Sequence, residues 1–295
     1  MIGMISGSAA ANVAVTGSVT IPMMKKSGFR NSMAGGIEAA ASTGGHIMPP
    51  IMSGVVFVMA DILGIRYWSI VAIAFLPAIL YFLGIMIQVH AYSVKHDLRV
   101  TADEFVKLPK LSETLKKGWQ HLLPLAAIIG LLAYGFSTIR AALYSMPIVI
   151  VVSWFQPETR MGFKHIIQAF VTAIKMIRVV MLATGLAGIL MGFLFITGAG
   201  SNFVSIIQNI SGDTLMVSLI IAAVFCIFLG LTLSGLASYL LTAILIAPAA
   251  VSMGVPEISI HFFALYYASV ALITPPVGPV SFQAAALADA GPYQT

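Results

Sequence analysis

Five times between residues 67 and 233 the chain runs apolar for long enough to cross a lipid bilayer, at 67–89, 119–136, 141–155, 178–198 and 214–233. A bilayer's hydrocarbon core is about 30 Å thick, and a helix rising about 1.5 Å per residue needs roughly 20 mostly apolar residues to span it. Hydrophobic residues make up 59% of the 295 and charged residues only 8%. A soluble surface is usually about 25–35% charged, so the solvent expected here is lipid. The net charge of +5 would suggest nucleic acid in a soluble protein. Here the basic residues lie between apolar spans, where they set topology, and no nucleic-acid partner is expected. The single cysteine, Cys226, sits in an apolar run, which excludes an intrachain disulfide and leaves it as a small hydrophobe.

Other apolar segments are interrupted by Gly and Pro: 1–24 around Ser6-Gly7-Ser8, 33–63 around Thr43 to Pro50, 214–250 around Ser234-Gly235, and 258–290 around Thr274 to Gly278. Non-helical backbone at membrane depth is tolerated only where protein or a water-filled cavity satisfies it. The segments 1–24 and 214–250 therefore read as re-entrant hairpins, and 33–63 and 258–290 as broken helices. The polar interval 90–118 reads as an extramembrane linker ending in a short amphipathic helix at about 111–118. Residues 156–178, with Arg160, Lys164, Lys175 and Arg178, read as an interfacial arm. Thirteen of the fifteen Lys and Arg fall in the loops 25–32, 90–118 and 156–178, which places those loops in the cytoplasm. The two hairpins then enter from opposite faces. No basic region followed by a cleavable apolar core opens the chain, so no signal peptide is expected, and both ends read as cut.

The two interrupted regions repeat one another. Pro22 is followed after 6 residues by Gly28 and after 27 by Pro49; Pro248 is followed after 6 by Gly254 and after 27 by Pro275. Two such units of opposite orientation form an inverted repeat, the architecture in which secondary transporters bind substrate and coupling ions at the membrane midplane. Half-helix C-termini and unwound backbone offer carbonyl oxygens to a dehydrated cation, and Gly lets the backbone approach closely. Na⁺ fits such oxygens. The first cation site is assigned to Ser6, Gly7, Ser8 and Asn12 facing Thr43, Gly44 and Gly45. The second is assigned to Thr232, Ser234 and Gly235 facing Ala271 and Thr274 through Gly278. Small residues of this kind also let membrane helices pack closely, and it is their pairing across the repeat that favours the ion sites.

Glu38, inside the first broken segment and four residues before Ser42, is a candidate to support the ion site or take a proton. Asp61 reads as interfacial. His46, inside the first break, is a candidate to face the substrate. No His-Glu-x-x-His, Cys-x-x-Cys, phosphate-loop or Asp-rich motif occurs in the sequence. These absences argue against a metalloprotease or a nucleotide-driven pump, and no enzyme, resident cofactor or other metal is expected. An intramembrane hydrolase using Ser6 or Ser234 would need a base that the sequence does not place opposite either serine.

SGSAAANVAVTGSVTIPMMKKSGF followed by GGIEAAASTGGHIMPPIM, with LTLSGLASYLLTAILIAPAAVSMGV and ALITPPVGPVSF, resembles the large permease subunit of tripartite ATP-independent periplasmic (TRAP) transporters. The Ala-Ala-Ser-Thr-Gly-Gly form resembles the branch with fused small and large subunits (TAXI-like), of which the chain would be a C-terminal portion. The resemblance covers nearly the whole chain. It implies an all-α, inner-membrane, elevator-type importer driven by a Na⁺ gradient, with a periplasmic substrate-binding protein that delivers small organic anions such as carboxylates. It carries over the first cation site to Ser6, Ser8, Asn12 and the Gly44-Gly45 break, and the second to Thr232, Ser234 and the Thr274 to Gly278 break. A full large subunit would bring further N-terminal helices, and a fused form the small-subunit helices too. His46 stands where Gln is expected in many relatives. The expected organisation is a transport unit of 1–63 (first hairpin and broken helix) and 200–295 (second hairpin and broken helix), framed by helices, linker and arm in 64–199. A stand-alone Na⁺/carboxylate symporter and a non-transporting remnant are the alternatives.

Overall fold

The computed structural model describes residues 3, 7–98, 118–136, 138–155, 159–198, 202, 205–206, 209–210, 214–232 and 235–295. Among them the secondary structure is helical and no strand occurs. The helices are α1 (Ala9–Lys26), α2 (Asn31–Gly44), α3 (Gly54–Leu63), α4 (Tyr67–Lys95), α5 (Leu122–Ala133), α6 (Thr138–Ser153), α7 (Phe163–Thr197), α8 (Leu215–Thr232), α9 (Gly235–Leu245), α10 (Ala247–Ser252), α11 (Glu257–Ala271) and α12 (Pro279–Ala288). A single 3₁₀ turn, Trp119–His121, precedes α5.

The repeat read from Gly and Pro spacing returns as repeated backbone geometry. α1 ends on Gly28 at φ +91°, whose N–H donates to Lys25 O while the next N–H, of Phe29, reaches Met24 O. α10 ends on Gly254 at φ +90°, with Gly254 N–H on Val251 O and Val255 N–H on Ala250 O. A left-handed glycine is the favoured way to satisfy the last carbonyls of a helix. An extended residue then starts the next helix, Arg30 before α2 and Pro256 before α11. Both of these helices run into a break, at 45–53 and 272–278, beyond which α3 and α12 resume. The Pro49–Pro50 and Pro275–Pro276 bonds are both cis.

The two units are crossed. α12 of the second packs onto α1 and α2 of the first, where Ala9, Val13, Ala39, Val280 and Ala284 share one buried cluster. α3 of the first packs among α4, α9 and α11, with Val56, Met59, Ile70, Tyr239 and Leu265 in the largest core. Small residues set these distances. A Cβ on Gly230 of α8 would lie 2.4 Å from that of Ala271.

Among the described residues, Tyr67–Lys95 and Gly235–Ser252 are long and apolar enough to cross a membrane. α4, at 29 residues or about 44 Å, carries exposed Ile73, Leu76, Leu80, Met86 and Ile87, a large apolar surface of the kind lipid covers. Two expectations are corrected. The run 119–136 forms a helix of only 12 residues, α5, which spans about 18 Å because Gly135 at φ +92° ends it and the chain turns back into α6. The arm at 156–178 and the span at 178–198 do not form two elements: α7 runs unbroken through 35 residues from Phe163 to Thr197. Basic side chains mark where a helix meets the interface, but they do not end it. The short helix expected at 111–118 falls almost wholly outside the described residues, and α4 extends the preceding span to Lys95.

Candidate functional site

The first tip is seated on the first break. Ser8 caps α1, its Oγ accepting from Ala11 N–H at 3.3 Å, as an N-cap serine does. Gly7 stands at φ +61° against the backbone of the break, where a Cβ would come within 2.9 Å of Met52 O. Gly45 meets Gly3 so closely that a Cβ would lie 2.7 Å from the Gly3 carbonyl carbon. His46 reaches across, its Nε2 accepting the Ala9 N–H at 3.0 Å. That bond fixes Nε2 as the unprotonated nitrogen, because an N–H can donate only to a lone pair. His46 thus anchors the start of α1, one of the N–H groups a helix leaves unpaired.

Below the tip, polar side chains run along α1 at four-residue intervals, Asn12, Thr16 and Thr20, opposite Glu38 and Ser42 of α2. Asn12 Nδ2 donates to Ser42 Oγ at 2.8 Å, and Ser42 Oγ donates to Glu38 Oε1 at 3.2 Å. Thr16 Oγ1 is hydrogen-bonded to Glu38 Oε1, and Thr20 Oγ1 lies 2.5 Å from Oε2. Asn12 Oδ1 is buried with no hydrogen-bond partner among the described residues. An orphaned oxygen at this depth carries a desolvation cost of about 1–3 kcal/mol unless something binds it, and a dehydrated Na⁺ is a ligand of the right kind.

The assigned break residues do not all face the tip. Gly45 does, whereas Gly44 packs on α4, where a Cβ would lie 2.6 Å from Tyr81 Cε1. Thr43 turns to a cavity of about 220 Å³ that Tyr81 of α4 and Tyr266 and Ser269 of α11 also line. Thr43 Oγ1 and the Tyr266 hydroxyl are buried there without hydrogen-bond partners among the described residues. The cavity therefore lies between the two broken helices and shows two unused hydroxyls.

Ser6, Leu233 and Ser234 lie outside the described residues, as does the side chain of Thr232. Gly235 opens α9, and Ala271 ends α11 against Gly230 of α8. Thr274 Oγ1 donates to Val270 O at 2.8 Å, so towards any further partner it can only accept. Gly278 stands at φ +26°, its N–H on Thr274 O at 3.0 Å, closing the break in a turn. Sequence reasoning missed Thr16 and Thr20, which the i, i+4 polar spacing in an apolar helix could have signalled. It also missed the buried pair Tyr239 and His261, whose hydroxyl and Nδ1 are 2.7 Å apart and tie α9 to α11. Asp61 lines an apolar cavity between α3, α5 and α6.

Two repeated units, each a helix followed by a broken helix, packed across one another in an apolar chain whose described residues form helices and no strand, define a membrane protein of the transporter class. The family model of the tripartite ATP-independent periplasmic transporter, DctM component, matches residues 1–295, and the chain belongs to that family. It is 24% identical, over 94% of its length and 64% of the relative's, to a putative TRAP transporter large permease protein of Haemophilus influenzae. It is 23% identical to the sialic acid TRAP transporter large permease protein SiaM of Vibrio cholerae, over 98% of this chain and 66% of that one. With the C4-dicarboxylate TRAP transporter large permease protein DctM of Pseudomonas aeruginosa it shares 25% identity, over 93% of this chain and 63% of that one. The chain thus spans about two thirds of the length of these relatives.

Proposed function

We propose that this chain forms the ion- and substrate-binding part of a TRAP permease that imports a small organic anion, carboxylates first among candidates, on an inward Na⁺ gradient. A periplasmic substrate-binding protein delivers the anion, and the permease sits in the inner membrane with the loops 25–32, 90–118 and 156–178 in the cytoplasm. The relatives' names for sialic acid and C4-dicarboxylates support an acidic substrate. In this reading the chain is a C-terminal portion of the fused, TAXI-like form. Its tips and breaks make two re-entrant units that move together as an elevator.

The observation that carries the reading is the seating of the first tip on the first break, with Asn12 Oδ1 beside it unpartnered among the described residues. Asn12 Oδ1, the Ser6 and Ser8 oxygens and carbonyls of the Gly44-Gly45 break would hold one Na⁺. The Thr232, Ser234 and Thr274 oxygens with the Ala271 to Gly278 backbone would hold the other. Na⁺ acts here as cargo. By bridging tip and break, the ion stiffens the wall of the cavity at Thr43, so ion and anion each favour the state that binds the other.

The test is uptake of radiolabelled organic acids into proteoliposomes containing the chain joined to its upstream sequence, with and without a Na⁺ gradient and candidate binding proteins. Uptake that needs both supports the proposal. Na⁺-driven uptake without a binding protein would replace it with a stand-alone symporter, and uptake indifferent to Na⁺ would reject the ion assignments.

A further inference from the structure

The direction of two hydrogen bonds decides which end of the Asn12 amide faces away from α2. Glu38 is 5% exposed, and a carboxylate at that depth needs hydrogen-bond donors around it. Among the described residues its partners are the hydroxyls of Thr16 and Ser42 on Oε1 and of Thr20 on Oε2. Ser42 Oγ donates to Oε1 at 3.2 Å. A hydroxyl carries one hydrogen and a carboxylate none, so Ser42 spends its hydrogen on Glu38 and offers Asn12 only lone pairs. Across 2.8 Å from those lone pairs stands Asn12 Nδ2, which donates to them. The amide oxygen in its place would set lone pair against lone pair.

The other end of the amide, Oδ1, is therefore the end turned from Ser42, and it is buried with no hydrogen-bond partner among the described residues. The group stands at the seam of tip and break: a Cβ on Gly3 would lie 3.2 Å from Asn12 Cγ, 3.3 Å from Nδ2 and 3.3 Å from Gly45 Cα. Rotating the amide by half a turn would keep its shape and satisfy Oδ1, were Ser42 free to donate to it. It would also turn N–H groups outward, the wrong pole for a cation. By claiming the Ser42 hydrogen, Glu38 holds the amide in the orientation that leaves an oxygen unused. The second unit has no such chain. At the offset of 226 residues that relates Pro22 to Pro248, Asn12, Glu38 and Ser42 correspond to Ser238, Ala264 and Ala268. Ser238 Oγ donates instead to Cys226 O at 3.2 Å.

We propose that Glu38 and Ser42 are positioning residues for the first cation site, and that the second site works without their like. Glu38 fixes Ser42 as an acceptor, Ser42 fixes the Asn12 amide, and Asn12 Oδ1 is thereby held out to the ion. Neither Glu38 nor Ser42 touches the cation. This inference rests on the reading of Asn12 as a Na⁺ ligand, and its test separates the two.

The experiment is equilibrium binding of radiolabelled Na⁺ to the permease in nanodiscs, the chain being joined to its upstream sequence. In Glu38→Gln the new amide can present an N–H to Ser42, whose hydrogen then turns to Asn12 and reverses it. Apparent affinity at one Na⁺ site should fall by about 10-fold, the scale of one lost interaction with a charged group. Ser42→Ala removes the anchor by another route, leaves the carboxylate in place, and should give a loss of the same order. The deciding measurement repeats both in an Asn12→Ala background, where no amide is left to orient. Neither should then weaken Na⁺ binding further, since residues acting through one group are not additive. A further loss in that background would show Glu38 acting by its charge or through the fold, and would overturn the proposal. Unchanged binding in Glu38→Gln and Ser42→Ala, with a loss in Asn12→Ala, would overturn it while leaving Asn12 a ligand. Unchanged binding in Asn12→Ala would remove the ion assignment and the proposal together.

Discussion

Replacing Gly45 with alanine acts on the seam between the first tip and the first break, and on little else. The new Cβ would lie 2.7 Å from the carbonyl carbon and 2.8 Å from the Cα of Gly3. Both neighbours are backbone, so no side chain can rotate away. Ordinary contact begins near 3.4 Å, and the tip must therefore back off the break by about 0.6–0.7 Å, the difference between those distances. Overpacking of this kind costs about 1–3 kcal/mol. If it falls on the seated state that Na⁺ stabilises, each of the first 2 kcal/mol weakens apparent Na⁺ affinity, by about 5-fold at 1 and about 30-fold at 2. The assay is the Na⁺-activation curve of uptake by the permease in proteoliposomes. Gly84→Ala serves as control, because a Cβ at Gly84 meets nothing within 4 Å. A Gly45→Ala curve that overlays the parent's would refute the idea that Na⁺ binding and tip seating are one event.

Other substitutions probe separate contacts. Gly230→Ala would place two Cβ atoms 2.4 Å apart across α8 and α11. It should lower stability by about 1–3 kcal/mol, read as a reduced melting temperature in nanodiscs; an unchanged value would mean the helices cross less closely. His46→Leu should leave the Ala9 N–H without an acceptor and cost about 1–3 kcal/mol, whereas His46→Gln can accept that bond through its amide oxygen and should retain most activity. Equal damage in both would assign His46 a role beyond anchoring α1. Tyr239→Phe strips His261 of its buried partner and should destabilise by a similar amount. Adding a nonpolar replacement at His261 should recover part of that loss in chemical denaturation, and a purely additive double variant would argue against coupling.

The broken architecture was legible because it depends on residues with few alternatives. Gly28 and Gly254 sit at left-handed φ, which other residues adopt at a cost, and their equal spacing from Pro22 and Pro248 exposed the repeat. Helix ends set by polarity were less legible. Lys175 and Arg178 suggested a boundary inside α7, yet a long basic side chain can lie along the membrane surface while its backbone stays helical. The run at 119–136 was too uniformly apolar to reveal the turn at Gly135. At the candidate site, Gly45 and His46 could be picked from their places beside Gly and Pro, Asn12 as a polar residue in the apolar run that follows Ser6-Gly7-Ser8, and Glu38 from its charge. Thr16 and Thr20 could not be matched to Glu38 without the α1–α2 register, which pairs positions 18 to 22 residues apart. The direction in which Thr43 and Gly44 face is likewise decided by α4 and α11, distant in sequence.

The crossing of the two units has a consequence for biogenesis. The small-residue face of α2 is completed by α12, and 235 residue steps, from Gly44 to Pro279, separate the end of one from the start of the other. At a synthesis rate of about 5–20 residues per second, that interval lasts roughly 12–47 s. Throughout it the nascent α1–α2 pair lacks the neighbour that covers Ala39 and Gly35. A ribosome that pauses late in this message would thus prolong the exposure of the helix pair made first.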